Sequence, residues 1–435
     1  MNERAPRHTV RSGAGLVIAN MIGVGVLLSA GFMAQDMSAG PILLAWVVGI
    51  VISFLGVISY SAIVAAIQES GGEYRFLSDL VHPFLGYLAG WGSLILGFSA
   101  PIAVNAHSIG AFTNTLVDGP DPRVVAAIVV VAFTAMHGLS LRVSHLGQNT
   151  VVVIKLVAFA AFALLALILG TNSWPDWTPA NPSAGFPWRK LIENQYWIAF
   201  AFSGWNAAIY TAKEFKNPAR DVPRAMLLGF GVVSLLYLVI NVVFVTNLTP
   251  EQATAVFTYE QTRITLAHLV SDGIFGSIGG RLTSILVIWA FASSISAMMM
   301  IAPRVYVAMA RDGFLPRIFT AKHGEPPFSS TVLQAAVSLL FIFSHSLRET
   351  VQAASAFLML FTALTALALF RLRRVHPAAA PAPAKLVVAV VFAFSIGVIL
   401  YTNLQSSPQL WYTLGAVTAL ALAGYLWARR GSSTG

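Results

Sequence analysis

The chain has 435 residues, of which 57% are hydrophobic and 10% charged, and its mean hydropathy is +0.75. This composition excludes a soluble globular protein, in which about a quarter of the residues are charged. The pI of about 9.9 does not indicate a nucleic-acid partner, because the basic residues are dispersed over short loops and form no motif. The absence of cysteine excludes thiolate chemistry, cysteine-based metal sites and a disulfide-linked subunit.

Twelve apolar stretches are long enough to cross a bilayer, so the predicted fold is an all-α integral membrane protein. In chain order, spans 1 to 12 are predicted at 13–35, 41–67, 84–116, 123–139, 147–170, 191–212, 224–247, 274–302, 329–346, 350–371, 385–404 and 408–428. An outer amphipathic helix is predicted within 250–269, capped by Thr249.

The spans divide the chain into a ten-span core and a two-span tail, with a proline- and alanine-rich linker at 373–384 between them. Residues 13–170 form the first five-span unit and 191–372 the second, with an outer loop at 171–190. Residues 385–428 hold spans 11 and 12, and the tails are 1–12 and 429–435. Two units of five spans that start on opposite sides of the membrane would form an inverted pair.

The distribution of basic residues predicts the orientation of the chain. With a cytoplasmic N-terminus, 19 lysines and arginines lie on the inner side and six on the outer side, and Lys155 alone lies within a span. Since cytoplasmic loops of membrane proteins carry an excess of lysine and arginine, both termini are expected in the cytoplasm. The location predicted is the inner (cytoplasmic) membrane.

Two spans contain glycines that would break a membrane helix. The first break is predicted at 21–25 in span 1 and the second at 202–206 in span 6. Non-helical backbone is tolerated at membrane depth only inside protein or beside a cavity, and a pair of such spans indicates a transporter's binding site. The half-helix ends would offer carbonyls to an ammonium group and N–H groups to a carboxylate, which fits an amino acid. Alternatively, Gly23 and Gly25 only allow another helix to approach closely.

Four segments resemble the amino acid–polyamine–organocation superfamily, particularly its L-type and bacterial amino acid permeases. They are MIGVGV at 21–26, FAFSGWN at 200–206, EFKNPARDVPRA at 214–225 and the segment 304–316, which ends in RDGFLP. The resemblance covers the ten-span core in the right order. It implies a leucine-transporter-type fold with 5 + 5 inverted repeats and broken helices 1 and 6.

The resemblance also implies a substrate site. Ile22, Gly23, Val24 and Gly25 would surround the substrate carboxylate, and Met21 and the carbonyls near Phe200 and Ser203 would bind the ammonium. Phe200 and Trp205 would lie near the side chain and the gate, and Gly204 between them in the break belongs to the same predicted site. Val24 departs from the family, which commonly has serine there. The departure leaves the substrate class open and favours apolar or small side chains.

Lys155 lies in an apolar part of span 5, where a buried ammonium is costly. It could snorkel to the inner surface if the span begins later. In the family, a lysine at this place stands where sodium-coupled relatives bind sodium. It would contact carbonyls of span 1 and hydroxyls of span 8 such as Ser293 or Ser294, and it could carry a proton. Sodium independence is therefore expected, with no metal and no cofactor.

Other polar residues allow two interpretations. Asn105 and His107 of span 3 could face the substrate or bond to a neighbouring helix, and Asn206 and Tyr210 are expected to steady span 6. The turn at 69–75 could belong to an inner gate or be a solvated turn.

The predicted function is secondary active transport of amino acids by alternating access, as a proton symporter or an exchanger. The partners expected are an amino acid, the lipid bilayer and, for a symporter, protons. An amine or polyamine substrate is the nearest alternative, but it predicts an acidic residue in the cavity. An enzyme is not expected, because the spans hold no ionisable clusters. A non-transporting sensor is the more remote alternative.

Overall fold

The computed structural model describes residues 8–139, 141–176, 185–320, 327–407 and 409–432, and every named element in these residues is helical. The predicted all-α membrane fold is confirmed. Within these described residues, eight stretches are long and apolar enough to cross a membrane, and three shorter apolar helices match predicted spans 4, 9 and 12. Predicted span 6 is present as two short helical pieces on either side of a break.

The first half of the chain forms spans 1 to 5. Its helices are α1 (Val10–Met21), α2 (Val24–Met33), α3 (Ala39–Val64), α4 (Glu73–Leu80), α5 (Pro83–Gly92), α6 (Ala100–Thr113), α7 (Pro122–Leu139) and α8 (Leu141–Leu169). Thr9 and Ser12 form a capping box that starts α1. A π-helical segment, Ser93–Ser99, joins α5 to α6, so that span 3 is one long helix.

The second half begins with α9 (Trp188–Glu193) and α10 (Gln195–Phe202), followed by a 3₁₀ helix, Ala207–Glu214. It continues with α11 (Pro218–Thr246), α12 (Pro250–Thr258), α13 (Glu260–Ile264), α14 (Leu266–Ile301) and α15 (Pro303–Arg311). Thr249 caps α12 as predicted. The single outer helix predicted at 250–269 is wrong in extent, because the chain turns at Tyr259 and Thr265. The helix that starts at Leu266 is interrupted at Gly276, which has a φ of +71°, close to the predicted start of span 8.

The remaining helices are α16 (Phe328–Ser344), α17 (Leu347–Leu367), α18 (Leu369–Val375), α19 (Pro383–Ser406) and α20 (Gln409–Ser432). The linker between spans 10 and 11 holds a short 3₁₀ turn, Pro377–Ala379. Helix α19 packs against α17 and α3, so span 11 of the tail lies directly on the core.

Span 1 lies at the centre of the bundle. Every residue of α2 is buried, α1 packs along α11, and α2 packs against α10. By contrast, the outer faces of α8 and α11 expose large apolar side chains such as Ile168 and Leu235, as expected of a surface in contact with lipid. The break in span 1 is therefore enclosed by other helices on all sides.

Candidate substrate site at the broken helices

The break in span 1 is shorter than the five residues predicted. Helix α1 ends at Met21, Ile22 and Gly23 leave the helical conformation, and α2 begins at Val24. Gly23 has an extended backbone that any residue could adopt. A Cβ atom at this position would lie 3.0 Å from the Asn105 Oδ1 and Ser294 Oγ atoms, so lack of space favours glycine.

The side chain of Lys155 is completely buried and reaches the end of α1. Its Nζ atom donates to the Ile22 carbonyl at 2.8 Å and lies 3.5 Å from the carbonyls of Ala19 and Ala290. The ammonium therefore faces the negative end of the α1 dipole and joins spans 5, 1 and 8. This position differs from the snorkelling alternative, in which the charge would reach the surface.

The contact of Lys155 with span 8 is not the one predicted. The atom on α14 is the Ala290 carbonyl, one turn before Ser293 and Ser294. Both serines are buried, and in the part of the chain that the structure describes neither hydroxyl has a hydrogen-bond partner. Since buried hydroxyls are normally paired, Ser294, which faces Gly23, offers a polar group to a ligand at the break.

Tyr237 of α11 was missed in the sequence analysis. Its side chain is completely buried, and its hydroxyl contacts the carbonyls of Met21 and Ala201, the second at 3.2 Å. The Met21 carbonyl, predicted to bind a substrate ammonium, thus already has a donor. The sequence feature that could have predicted this role is a tyrosine within an apolar membrane helix, because a buried hydroxyl needs a hydrogen-bond partner.

Asn105 of span 3 bonds to a neighbouring helix, which is one of the two alternatives left open. Its Oδ1 atom accepts from the Val24 N–H at 3.1 Å, and its amide donates to the Pro101 carbonyl. The Val24 N–H is therefore occupied by the protein. In the first turn of α2, the N–H groups of Gly25 and Val26 also have no acceptor within the helix, because of their position.

The break in span 6 begins after Phe202. Ser203 and Gly204 leave the helix, and Gly204 has a φ of +100° and packs against Asn20 of α1, so both its conformation and its space require glycine. The Phe200 carbonyl accepts from the Ser203 N–H at 3.0 Å and from its hydroxyl at 2.7 Å. The Phe200 carbonyl was predicted to bind the substrate ammonium, but it already accepts both hydrogen bonds from Ser203 of the same segment.

The two broken spans are in direct contact. A Cβ atom at Gly25 would lie 2.4 Å from the Ala201 Cα atom, so α2 and α10 are as close as their backbones allow. The Ser29 hydroxyl also donates to the Trp197 carbonyl of α10 at 3.1 Å. At Gly25, close helix approach is therefore a sufficient reason for glycine.

Residues Ser203, Gly204 and Trp205 line a cavity of about 60 Å³ between spans 2, 6, 10 and 11. Trp205 packs edge-on against Tyr60 at the inner side of this segment, with ring centroids 4.8 Å apart. None of residues 21–25 is among the residues lining this cavity. The structure thus brings the two breaks together, with residues 203–205 lining this cavity and residues 21–25 outside its lining.

The end of span 1 that follows α2 is joined by ion pairs to α9, which precedes the broken helix of span 6. The Lys190 ammonium lies 3.4 Å from Asp36 and 3.1 Å from Glu193. Partial burial opposes the charge of Lys190, but the hydrogen bond that Lys190 donates to Glu193 and the negative charge of Asp36 outweigh it and raise the pKa of this lysine. These partly exposed pairs join the residues after α2 to the residues before α10.

Comparison with known proteins identifies the family. A family model described as amino acid permease matches residues 9–422, which is nearly the whole chain. The chain belongs to the amino acid permease family. The family resemblance inferred from the four segments is confirmed, as is a multi-pass membrane transporter rather than an enzyme.

Similar proteins include mammalian amino acid transporters. The b(0,+)-type amino acid transporter 1 of Oryctolagus cuniculus is 24% identical over 83% of this permease and 75% of its own length. The large neutral amino acids transporter small subunit 2 of Homo sapiens is 24% identical over 91% of this permease and 75% of its own length. The large neutral amino acids transporter small subunit 2 of Oryctolagus cuniculus is 25% identical, again over 91% of this permease and 75% of its own length.

Proposed function

We propose that this permease is a sodium-independent secondary transporter of neutral amino acids that works by alternating access. The end of α1 and the start of α2 lie where spans 1 and 6 touch, and the ends of such half-helices suit the two charges of a zwitterion. The relatives named as transporters of large neutral amino acids favour this substrate class. The charge of the ligand would be balanced by backbone dipoles rather than by charged side chains.

The observation that carries the proposal is the position of Lys155. Its ammonium occupies a site surrounded by carbonyl oxygens of spans 1 and 8, where a metal ion would otherwise neutralise the same oxygens. Because the cation is part of the chain, this site needs no sodium in any conformation. Lys155 would also move with span 1 as the substrate site opens. The transport itself would be proton symport or exchange.

The substrate carboxylate is proposed to bind the Gly25 and Val26 N–H groups and the Ser294 hydroxyl. Val24 supplies no hydroxyl, and its N–H is held by Asn105. The ammonium would take the Met21 carbonyl when the Tyr237 hydroxyl moves fully to Ala201. The side chain would extend toward Phe200 and Trp205.

The membrane proposed is the cytoplasmic membrane, with both termini inside, because basic residues are concentrated in the loops of that side. The 5 + 5 inverted repeat, with units at 13–170 and 191–372, would relate broken span 1 to broken span 6. Such a relation would put the site between the two units.

The test is uptake of labelled leucine, alanine, lysine and spermidine by proteoliposomes that contain the purified permease. We expect uptake of the neutral amino acids, equal in sodium and choline buffers, and stimulation by internal amino acid or by a pH gradient. Uptake that depends on sodium would contradict the proposed role of Lys155. Uptake of spermidine without any neutral amino acid would favour the polyamine alternative.

A further inference from the structure

Glu73, the first residue of α4, has a buried carboxyl group on the cytoplasmic side. Only 4% of the residue is exposed, and its two oxygens accept hydrogen bonds from the Asn206 amide at 2.5 Å, the Tyr210 hydroxyl at 2.5 Å and the Tyr60 hydroxyl at 3.1 Å. Tyr60 lies on span 2, whereas Asn206 and Tyr210 lie on span 6 beyond its break. The turn at 69–75 is therefore not simply solvated.

The glycines before Glu73 place its carboxyl group against span 6. Gly71 and Gly72 have φ angles of +129° and +60°, and a Cβ atom at Gly72 would lie 2.1 Å from the Tyr210 ring. Only glycine combines this conformation with such close packing. The turn is built to bring the start of α4 onto the inner half of span 6.

The next residues of α4 bind to the segment after span 8. The Tyr74 hydroxyl donates to Asp312 at 2.5 Å, and an Arg75 guanidinium N–H donates to the same carboxylate at 3.2 Å. Asp312 directly follows α15. Helix α4 thus connects spans 2 and 6 on one side with the inner end of span 8 on the other.

We propose that Glu73 is a positioning residue of the transport cycle, whose hydrogen bonds to Tyr60, Asn206 and Tyr210 hold the inner half of span 6 in the closed position. We call these four residues the Glu73 clasp. The proposal rests on the proposed transport function, because an inner half-helix that never moved would need no clasp. To open the cytoplasmic side, span 6 must leave Glu73 and expose the three donors.

Burial distinguishes the clasp from the ion pair beside it. Glu69 and Lys213 join the same two segments at 2.5 Å, but their side chains are 41% and 51% exposed. An exposed pair exchanges readily with water and contributes little, whereas a buried acceptor with three donors is costly to lose. Glu69 therefore serves as the matched control for Glu73.

The test uses single cysteines in a chain that has none of its own. The reporter is Ala212→Cys, a completely buried position on the 3₁₀ helix of span 6, and the measurement is its rate of labelling by a maleimide. Gln68→Cys, at an exposed position, gives the unhindered rate. Ala126→Cys, completely buried on α7, reports general loosening of the fold.

Glu73→Gln keeps the shape of the side chain but replaces one acceptor oxygen by an NH₂ group. We expect the labelling of the Ala212→Cys reporter to rise about tenfold, as the loss of a hydrogen bond to a charged group implies. Glu69→Gln should leave the rate unchanged, and Ala126→Cys should stay protected in both variants. Tyr60→Phe and Tyr210→Phe, which each remove one donor, should give smaller increases in the same direction.

An unchanged rate in Glu73→Gln and in both tyrosine variants would overturn the proposal, as would an equal increase in Glu69→Gln or a parallel increase at Ala126→Cys. If Glu73→Gln does not fold, the tyrosine variants decide. Labelling requires no substrate. A permease that failed to transport neutral amino acids would therefore refute the proposed function and leave this test intact.

Discussion

Lys155, Tyr237 and Asn105 come from three different spans, and each satisfies a backbone group at the break of span 1. Away from water, an unpaired backbone group costs several kcal/mol, so a broken helix at membrane depth depends on such partners. The span that supplies the partner side chain determines which helix moves together with span 1. A carbonyl held by a side chain of span 5 or span 7 links span 1 to the movement of that span.

Replacing Lys155 by alanine should remove net transport while much of the folded protein survives. The carbonyls of Ile22, Ala19 and Ala290 would lose their cation, and the broken span 1 would be poorly held. We expect the rate of amino acid uptake by proteoliposomes to fall by at least about tenfold, since even one buried group left unpaired costs 1–3 kcal/mol. Sodium should restore part of the rate by entering the vacant oxygen cage, whereas choline should not.

Lys385→Ala is the matched control, because Lys385 is exposed at the start of α19 and its loss should leave uptake near the wild-type rate. Activity like that of the wild type in the Lys155 variant, in sodium and in choline alike, would end the proposed coupling role.

The substitution Tyr237→Phe removes one hydroxyl group and keeps the aromatic ring. The Met21 and Ala201 carbonyls would lose their shared donor, at a cost of about 1–3 kcal/mol in a dry site. We expect a lower midpoint of thermal unfolding and a changed Kd for leucine, measured by scintillation proximity on the purified permease. Tyr412→Phe, at an exposed position on α20, should change neither quantity. A leucine Kd equal to that of the wild type would separate Tyr237 from the ammonium site.

At the scale of elements, α2 and α10 behave as one unit. Their backbones touch at Gly25 and Ala201, Ser29 joins them through the Trp197 carbonyl, and the Phe32 and Trp197 rings stack at 4.3 Å. The outer halves of the two broken spans are therefore packed tightly together. The other halves, α1 and the 3₁₀ helix, also pack on each other, and side chains from other spans bind to them in addition, such as Lys155 at the end of α1.

Gly25→Ala should destabilise the permease even without substrate. The new methyl group would lie 2.4 Å from the Ala201 Cα atom, and backbone cannot yield as a flexible side chain does. Overpacking of this kind costs about 1–3 kcal/mol, so the midpoint of thermal unfolding in detergent should fall by several degrees. Gly231→Ala has open space around it in α11 and should instead raise the midpoint slightly. Equal midpoints in the two variants would refute the close contact.

At the scale of the molecule, the placement of charge predicts which loops face the cytoplasm. Single cysteines make the prediction testable, since the chain has no other thiol. In intact cells, an impermeant maleimide should label Asp118→Cys, in the exposed turn between α6 and α7. Gln68→Cys, in the turn before α4, should react only after the cells are made permeable. The reverse pattern would invert the proposed orientation.

The amino-acid sequence by itself determined the twelve spans, the two broken helices, the burial-prone lysine of span 5 and the family. These features are local, since hydropathy over about twenty residues and glycines within a span can be recognised without knowing their neighbours. The structure differs from the sequence prediction at one local feature, because helices α12 and α13 are separate. Their separation depends on turns at Tyr259 and Thr265, which the pattern of apolar residues did not predict.

Only the tertiary structure decided which groups meet. It placed the Ala290 carbonyl rather than the Ser293 or Ser294 hydroxyl beside Lys155, gave the Val24 N–H to Asn105, and buried Glu73 among donors of spans 2 and 6. Tyr237 acquired its role in the same way. A side chain in a membrane bundle pairs with whichever backbone group lies within about 3 Å, and that distance depends on how separate spans pack rather than on any stretch of sequence.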